Sequence, residues 1–96
     1  MSAHHDTRLN SNLIGQLLAE TRRAAGLSQK EVARRVGRTQ NWVSVIEAGH
    51  VSCRYEEFVA AATALGADPE VLYARYLELC ALRAGIARQA RVVPEQ

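Results

Sequence analysis

Residues 37–49 of this chain read GRTQNWVSVIEAG. Two glycines bound a stretch with the spacing of one short helix. Its first turn carries two amides, Gln40 and Asn41, beside a tryptophan, Trp42, and its only acid is Glu47 at the far end. Amides carry a donor and an acceptor side by side. The residues that could do covalent or metal chemistry are poorly grouped. His4 and His5 are adjacent on a polar stretch without helical period, and a metal site needs three or four converging ligands. Cys53 and Cys80 lie far apart and belong to no C-x-x-C motif, which argues against a zinc site or disulfide scaffold and for a reducing compartment. An ordinary buried thiol is the expectation for Cys80, ahead of a redox switch. Glu56 and Glu57 suit the first turn of a helix, where carboxylates complement its dipole. No Ser/His/Asp or Cys/His arrangement, glycine-rich phosphate loop or paired carboxylate in an apolar setting is present. The expectation is therefore a protein that is not an enzyme and needs no metal or cofactor.

The elements that hold these residues read as helices throughout. Leu13, Ile14, Leu17, Leu18, Thr21 and Ala25 recur at three- and four-residue spacing, predicting a first helix that starts after Asn12 and stops at Gly26. Ser28 and Glu31 fit a capping box in which each side chain satisfies a backbone donor of the other, with Leu27 and Val32 as a hydrophobic staple. The second helix then covers 29–36, with Val32, Ala33 and Val36 inward. Thr39 caps a third helix over 40–48, whose Val43 and Ile46 face the core. A fourth covers about 55–65, with Phe58, Ala61, Ala62 and Leu65 as core candidates. Asp68-Pro69 opens a fifth that runs to Leu82 or beyond. No strand-like alternation or internal repeat appears. Only three residues separate the second and third helices, which forces the sharp angle of a helix-turn-helix. The expected organisation is a flexible tail over 1–12, a helical domain over 13–82, and a helix end and tail over 83–96.

Ninety-six residues suffice for one domain with a modest core. No apolar run approaches the roughly 20 residues of a membrane span, and no export signal opens the chain. The net charge of +2 is unevenly placed. Residues 1–55 hold eight Lys and Arg against four acids, while residues 56–96 hold four Arg against six acids. A basic first half suits a polyanionic partner.

The segments GLSQKEVA, VSVIEAG and ATALGADP, in that order and without insertion, resemble the lambda-repressor-like (Cro/CI-type, XRE) family of helix-turn-helix DNA-binding domains over about Leu13 to Leu77. The resemblance implies an all-α, five-helix bundle with an extended C-terminal helix, whose third helix enters the major groove of double-stranded DNA. It assigns base reading to Gln40 and Asn41, with Ser44 and Val45 one turn on. Amides can bond bidentately to adenine, and apolar groups can meet the thymine methyl. Gln29 matches the family's phosphate-clamping glutamine, and Lys30, Arg38, His50 and Arg54 are further phosphate candidates. Trp42 is expected either beside a sugar-phosphate strand or at the edge of the core. Arg22 and Glu47 match a structural pair joining the first and third helices. The chain departs from the family at Cys53-Arg54, where a Pro-Ser step is common, so the fourth helix lacks an obvious side-chain cap.

The fifth helix is apolar on more than one side. Leu72, Tyr76, Leu79 and Leu82 are the expected surface of a homodimer, against the alternative of a monomer whose long helix folds over its own core. A two-fold dimer would place two third helices about 34 Å apart and read a palindromic operator. The resulting expectation is a bacterial or phage-encoded, cytoplasmic, nucleoid-associated regulator, most simply a repressor. No effector domain is evident, which leaves phage-type repressors, restriction-modification controllers and antitoxins as alternatives. In the antitoxin case a toxin would sit on the fifth helix, and a protein-interaction module is the rival class.

Overall fold

The structure is a computed structural model that describes residues 8–91, with side chains for residues 9–85. His4 and His5 and the final residues 92–96 lie outside the described part. Five helices follow one another: α1 (Ser11–Ala24), α2 (Gln29–Val36), α3 (Gln40–Glu47), α4 (Tyr55–Ala64) and α5 (Pro69–Arg91). Two two-residue strands, β1 (Arg8–Leu9) and β2 (Cys53–Arg54), pair antiparallel with Leu9 opposite Cys53.

Local chemistry sets most of the boundaries. The first helix begins earlier than the sequence predicts. The side chain of Asn10 accepts the Leu13 N–H at 3.1 Å, so Asn10 is the cap and Ser11 the first helical residue. Residues 8–12, expected as part of a flexible tail, are thus ordered as strand, cap and helix. The Asn10 N–H also donates to the Tyr76 hydroxyl at 2.8 Å, which fastens this entry to α5. Ser28 Oγ accepts the Glu31 N–H at 3.0 Å, and Thr39 Oγ1 accepts the Trp42 N–H at 3.0 Å. Gly37 takes φ +79° to end α2, a conformation costly for any residue with a Cβ. Asp68 accepts the Glu70 N–H at 2.9 Å at the start of α5. Gly85 does not stop that helix, which continues to Arg91.

Two caps differ from expectation. At Ser28 only half of the capping box forms, because the Glu31 carboxylate turns instead to Arg34 and Arg35, three and four residues on. Charge-assisted bonds to guanidinium outcompete one to a neutral amide. At α4 the Arg54 side chain has no acceptor to offer. The reciprocal half forms alone, with Glu57 Oε1 accepting the Arg54 N–H at 3.0 Å. The carbonyl end of α4 is satisfied from outside, where Arg35 donates to the Ala64 oxygen at 3.0 Å.

One core joins all five helices. Ile14, Leu17 and Leu18 of α1 meet Val32 and Ala33 of α2, Val43 and Ile46 of α3, Phe58 and Ala61 of α4, Leu65 just beyond it, and Tyr76 of α5. Phe58 and Ile14 are fully buried, as is Cys53 on β2. Burial pushes the Cys53 thiol up to about 12, so it is an inert packing residue. Tyr55, Phe58, Tyr73 and Tyr76 form an aromatic run that seals α4 to α5, with Tyr55 edge-on to Tyr73 at 5.1 Å. Two residues of the predicted α1 stripe lie outside the core. Thr21 is half-buried and donates its hydroxyl to the Leu17 carbonyl, and Ala25 is exposed at the helix end.

The hydrogen bonds from Arg34 and Arg35 hold the Glu31 carboxyl at about 2, below its ordinary 4.5. A depressed carboxylate pKa contributes stability that is complete above 4.5 and is lost as pH falls toward 2. A carbon-detected NMR titration should place the Glu31 midpoint near 2 and return it toward 4.5 in the double variant Arg34→Ala/Arg35→Ala. A wild-type midpoint near 4.5 would show that the two arginines do not hold it.

Candidate nucleic-acid interface

The three residues between α2 and α3, Gly37-Arg38-Thr39, turn the chain sharply enough to set α3 across α2. Val43 and Ile46 anchor the inner face of α3, at 4% and 3% exposure. That anchoring fixes what the other face shows. Gln40 and Asn41 are exposed in its first turn, and Ser44 and Val45 are half-buried one turn later. The four expected reading residues therefore share one accessible side of a helix with no charge before Glu47.

Around this face the expected phosphate contacts take different positions. Lys30, Arg38, His50 and Arg54 are exposed. The first N–H groups of α2, those of Gln29 and Lys30, have no intrahelical acceptor by the geometry of any helix start. They form a positive helix end suited to an anion. The Gln29 side chain behaves otherwise than expected. Its amide donates to Glu47 Oε1 at 3.0 Å, so its side chain braces α3. Trp42 is half-buried against the core cluster, and the Arg38 guanidinium lies over its ring at 4.7 Å.

The Arg22–Glu47 pair is formed as the resemblance implies. Arg22 Nε donates to Glu47 Oε2 at 2.7 Å and Nη2 to Oε1 at 3.1 Å, with side chains only 12% and 8% exposed. Arg22 Nη1 also donates to the Leu27 carbonyl at 2.8 Å, so one guanidinium ties α1, the α1–α2 loop and the end of α3. The Glu47 hydrogen bond raises the Arg22 pKa further above its already high value. Glu47 is thereby a structural carboxylate with both oxygens engaged.

Beside this pair lies a residue that sequence reasoning missed. Gly15 is buried inside α1, and a Cβ there would clash with the Ile46 carbonyl oxygen and sit 2.7 Å from that of Glu47. The backbone of α1 touches the last turn of α3, and only glycine permits it. The signal in the sequence was a lone glycine in an otherwise regular helical stripe, a pattern that often marks close backbone approach.

The expected dimer surface is redistributed. Tyr76 is buried, at 6% exposure, and its hydroxyl is held by Asn10. Leu72 and Leu79 are half-buried against the chain's own core, and of the four only Leu82 is exposed. A five-helix bundle of this size covers one side of α5 with its own α1 and α4, which the all-round apolarity of the helix concealed. Next to Leu79 a groove of about 230 Å³ opens between α1 and α5, lined by Leu13, Gln16, Leu17, Glu20, Arg75 and Leu79. Among the described residues, no group of His, Cys, Asp and Glu is placed to hold a metal, and no helix is long and apolar enough to cross a membrane.

The bundle, the tight α2–α3 turn and the accessible face of α3 define a helix-turn-helix protein. The model of the helix-turn-helix domain family matches residues 13–75. Among solved structures, an XRE-family-like protein from Pseudomonas syringae pv. tomato is 36% identical with a TM-score of 0.65, over 69% of this chain and 80% of that one. The restriction-modification controller protein C.AhdI from Aeromonas hydrophila is 35% identical with a TM-score of 0.58, over 62% of this chain and 91% of that one. The clp gene regulator ClgR from Corynebacterium glutamicum, at 23% identity and a TM-score of 0.71 over 90% of this chain and 92% of that one, shares the fold. No match is found among curated proteins. The chain belongs to the XRE-type helix-turn-helix family, a family of DNA-binding transcription regulators.

The contacts around the end of α3 generate a paired prediction. Replacing glycine by alanine inside a helix usually stabilises by about 1 kcal/mol. Gly15→Ala should instead destabilise by about 1–3 kcal/mol, the range for overpacking. Glu47→Ala strands Arg22 and Gln29 and should lose about 3 kcal/mol, near the low end for breaking a buried pair. Urea denaturation of both variants checks this. A stabilised Gly15→Ala would contradict the close approach, and an unchanged Glu47→Ala the bracing role.

Proposed function

We propose that this protein is a sequence-specific regulator that binds double-stranded DNA through α3, and that it acts as a dimeric repressor on a palindromic operator. The observation that carries the reading is the composition of the accessible face of α3: two exposed amides, a hydroxyl and a valine, with charge absent until Glu47. Such a face suits the hydrogen-bonding edges of bases and the thymine methyl, and is poorly suited to phosphate. Cations stand to the sides, at Lys30, Arg38 and Arg54, where backbone contacts fix register and carry no sequence information. In this reading Gln40 and Asn41 read bases, with Ser44 and Val45 beside them. Gln29 and Lys30 clamp a phosphate through the start of α2, and His50, Arg38 and Arg54 add further backbone contacts.

The dimer surface in this proposal is the exposed part of α5 around Leu82, together with the adjoining groove that Leu79 lines. In a two-fold dimer, Leu82 of each copy would lie against the leucines that line this groove, with Gln16, Glu20 and Arg75 at its polar part. The likeness to a restriction-modification controller supports a regulator that acts on DNA.

Reading and clamping residues should separate on binding. Gln40→Ala or Asn41→Ala should erode discrimination between a selected site and its point variants by about 1–3 kcal/mol per lost base contact. Lys30→Gln should weaken all duplexes alike and flatten the salt dependence by about one unit of log–log slope. Fluorescence anisotropy across a salt series measures both. Equal loss of discrimination from both kinds of variant would contradict the division of roles.

A further inference from the structure

Glu57 lies outside the reading face and belongs to α4, yet its carboxylate lies between the Arg54 backbone and the Arg38 guanidinium. Oε1 accepts the Arg54 N–H at 3.0 Å, and Oε2 lies 3.6 Å from Arg38 Nη2. The first contact is a good hydrogen bond made to backbone. It holds the carboxylate at the start of α4 wherever the Arg38 side chain goes. The second is longer than a hydrogen bond should be, between side chains 46% and 24% exposed. It is a loose, solvent-screened attraction. Arg38 also rests on the Trp42 ring, so its guanidinium has two internal partners in the free protein. Carboxylate and phosphate offer a guanidinium the same paired oxygen acceptors.

We infer that Glu57 is an internal competitor for DNA phosphate: its carboxylate holds Arg38 against Trp42 in the free protein, and a backbone phosphate must displace it. The inference rests on the DNA-binding reading above. Its consequence is a lowered affinity for any duplex backbone, so that base contacts from α3 carry a larger share of the affinity that remains. Glu57 therefore acts on affinity through Arg38 and touches neither bases nor phosphates itself.

The test is a double-variant cycle. Glu57→Gln keeps an oxygen for the Arg54 N–H and removes the charge. Binding of a short random-sequence duplex by the full chain should tighten two- to fivefold in Glu57→Gln, the range for a partly exposed pair. In an Arg38→Gln background the same substitution should change binding by much less, and the difference isolates the Arg38–Glu57 interaction from general charge repulsion. Trp42 is the sole tryptophan, so its emission reports whether the guanidinium has left the ring. It should shift in Glu57→Gln without DNA, with the helical circular-dichroism signal retained. Unchanged or weaker binding in Glu57→Gln would overturn the inference, as would equal tightening with and without Arg38. An unaltered Trp42 emission would overturn it as well. Absence of duplex binding by the wild type would instead overturn the DNA-binding reading, and this inference with it.

Discussion

The geometry of this protein depends on how the end of α3 is fastened. Arg22 reaches from α1 to hold both oxygens of Glu47, Gln29 adds a third bond from α2, and the Gly15 backbone lies directly against the carbonyls of Ile46 and Glu47. A helix of eight residues has little stability of its own. Its direction is set by Val43 and Ile46 inside and by this bracing at its end. A mostly buried pair of this type fixes orientation more reliably than it adds stability. That suits the proposed role of α3, in which its outer side chains meet base edges at hydrogen-bonding distance.

The same constraint explains the distribution of charge. With α3 freed from holding itself by surface ion pairs, its accessible face can be left to amides and small groups. Cations are displaced to the turns and helix starts that flank it. Several of these are restrained in their turn. Arg34 and Arg35 are occupied by Glu31, Arg35 also closes α4, and Arg38 lies between Trp42 and Glu57. Four of the eight Lys and Arg of residues 1–55, namely Arg22, Arg34, Arg35 and Arg38, thus have carboxylate partners within the protein.

Much of this was legible in the sequence because it is local. Ser28, Thr39 and Asp68 sit at helix starts where their side chains have short reach to backbone donors, and all three cap as expected. The stripe through Ile14, Leu17 and Leu18 likewise fixed the buried side of α1. What escaped depends on contacts between distant segments. A two-residue ladder has no period to detect, so β1 and β2 were invisible, and with them the early start of α1 at Asn10. The glycine contact at Gly15 needs the position of α3 to acquire meaning. Tyr76 and Leu79 look available on a helix apolar around its circumference, until α1 and α4 take up that side. At Glu31 the error was one of competition, since two nearby arginines outbid the backbone donor that the motif predicts.

Base reading by the uncharged face of α3, as proposed, is tested most directly by selection from random duplex DNA by the purified protein, followed by sequencing of the retained pool. The expected result is enrichment of a palindrome whose half-sites are centred about one helical turn, roughly 34 Å, apart. Retention of duplex without any enriched sequence, or no retention at low salt, would contradict it.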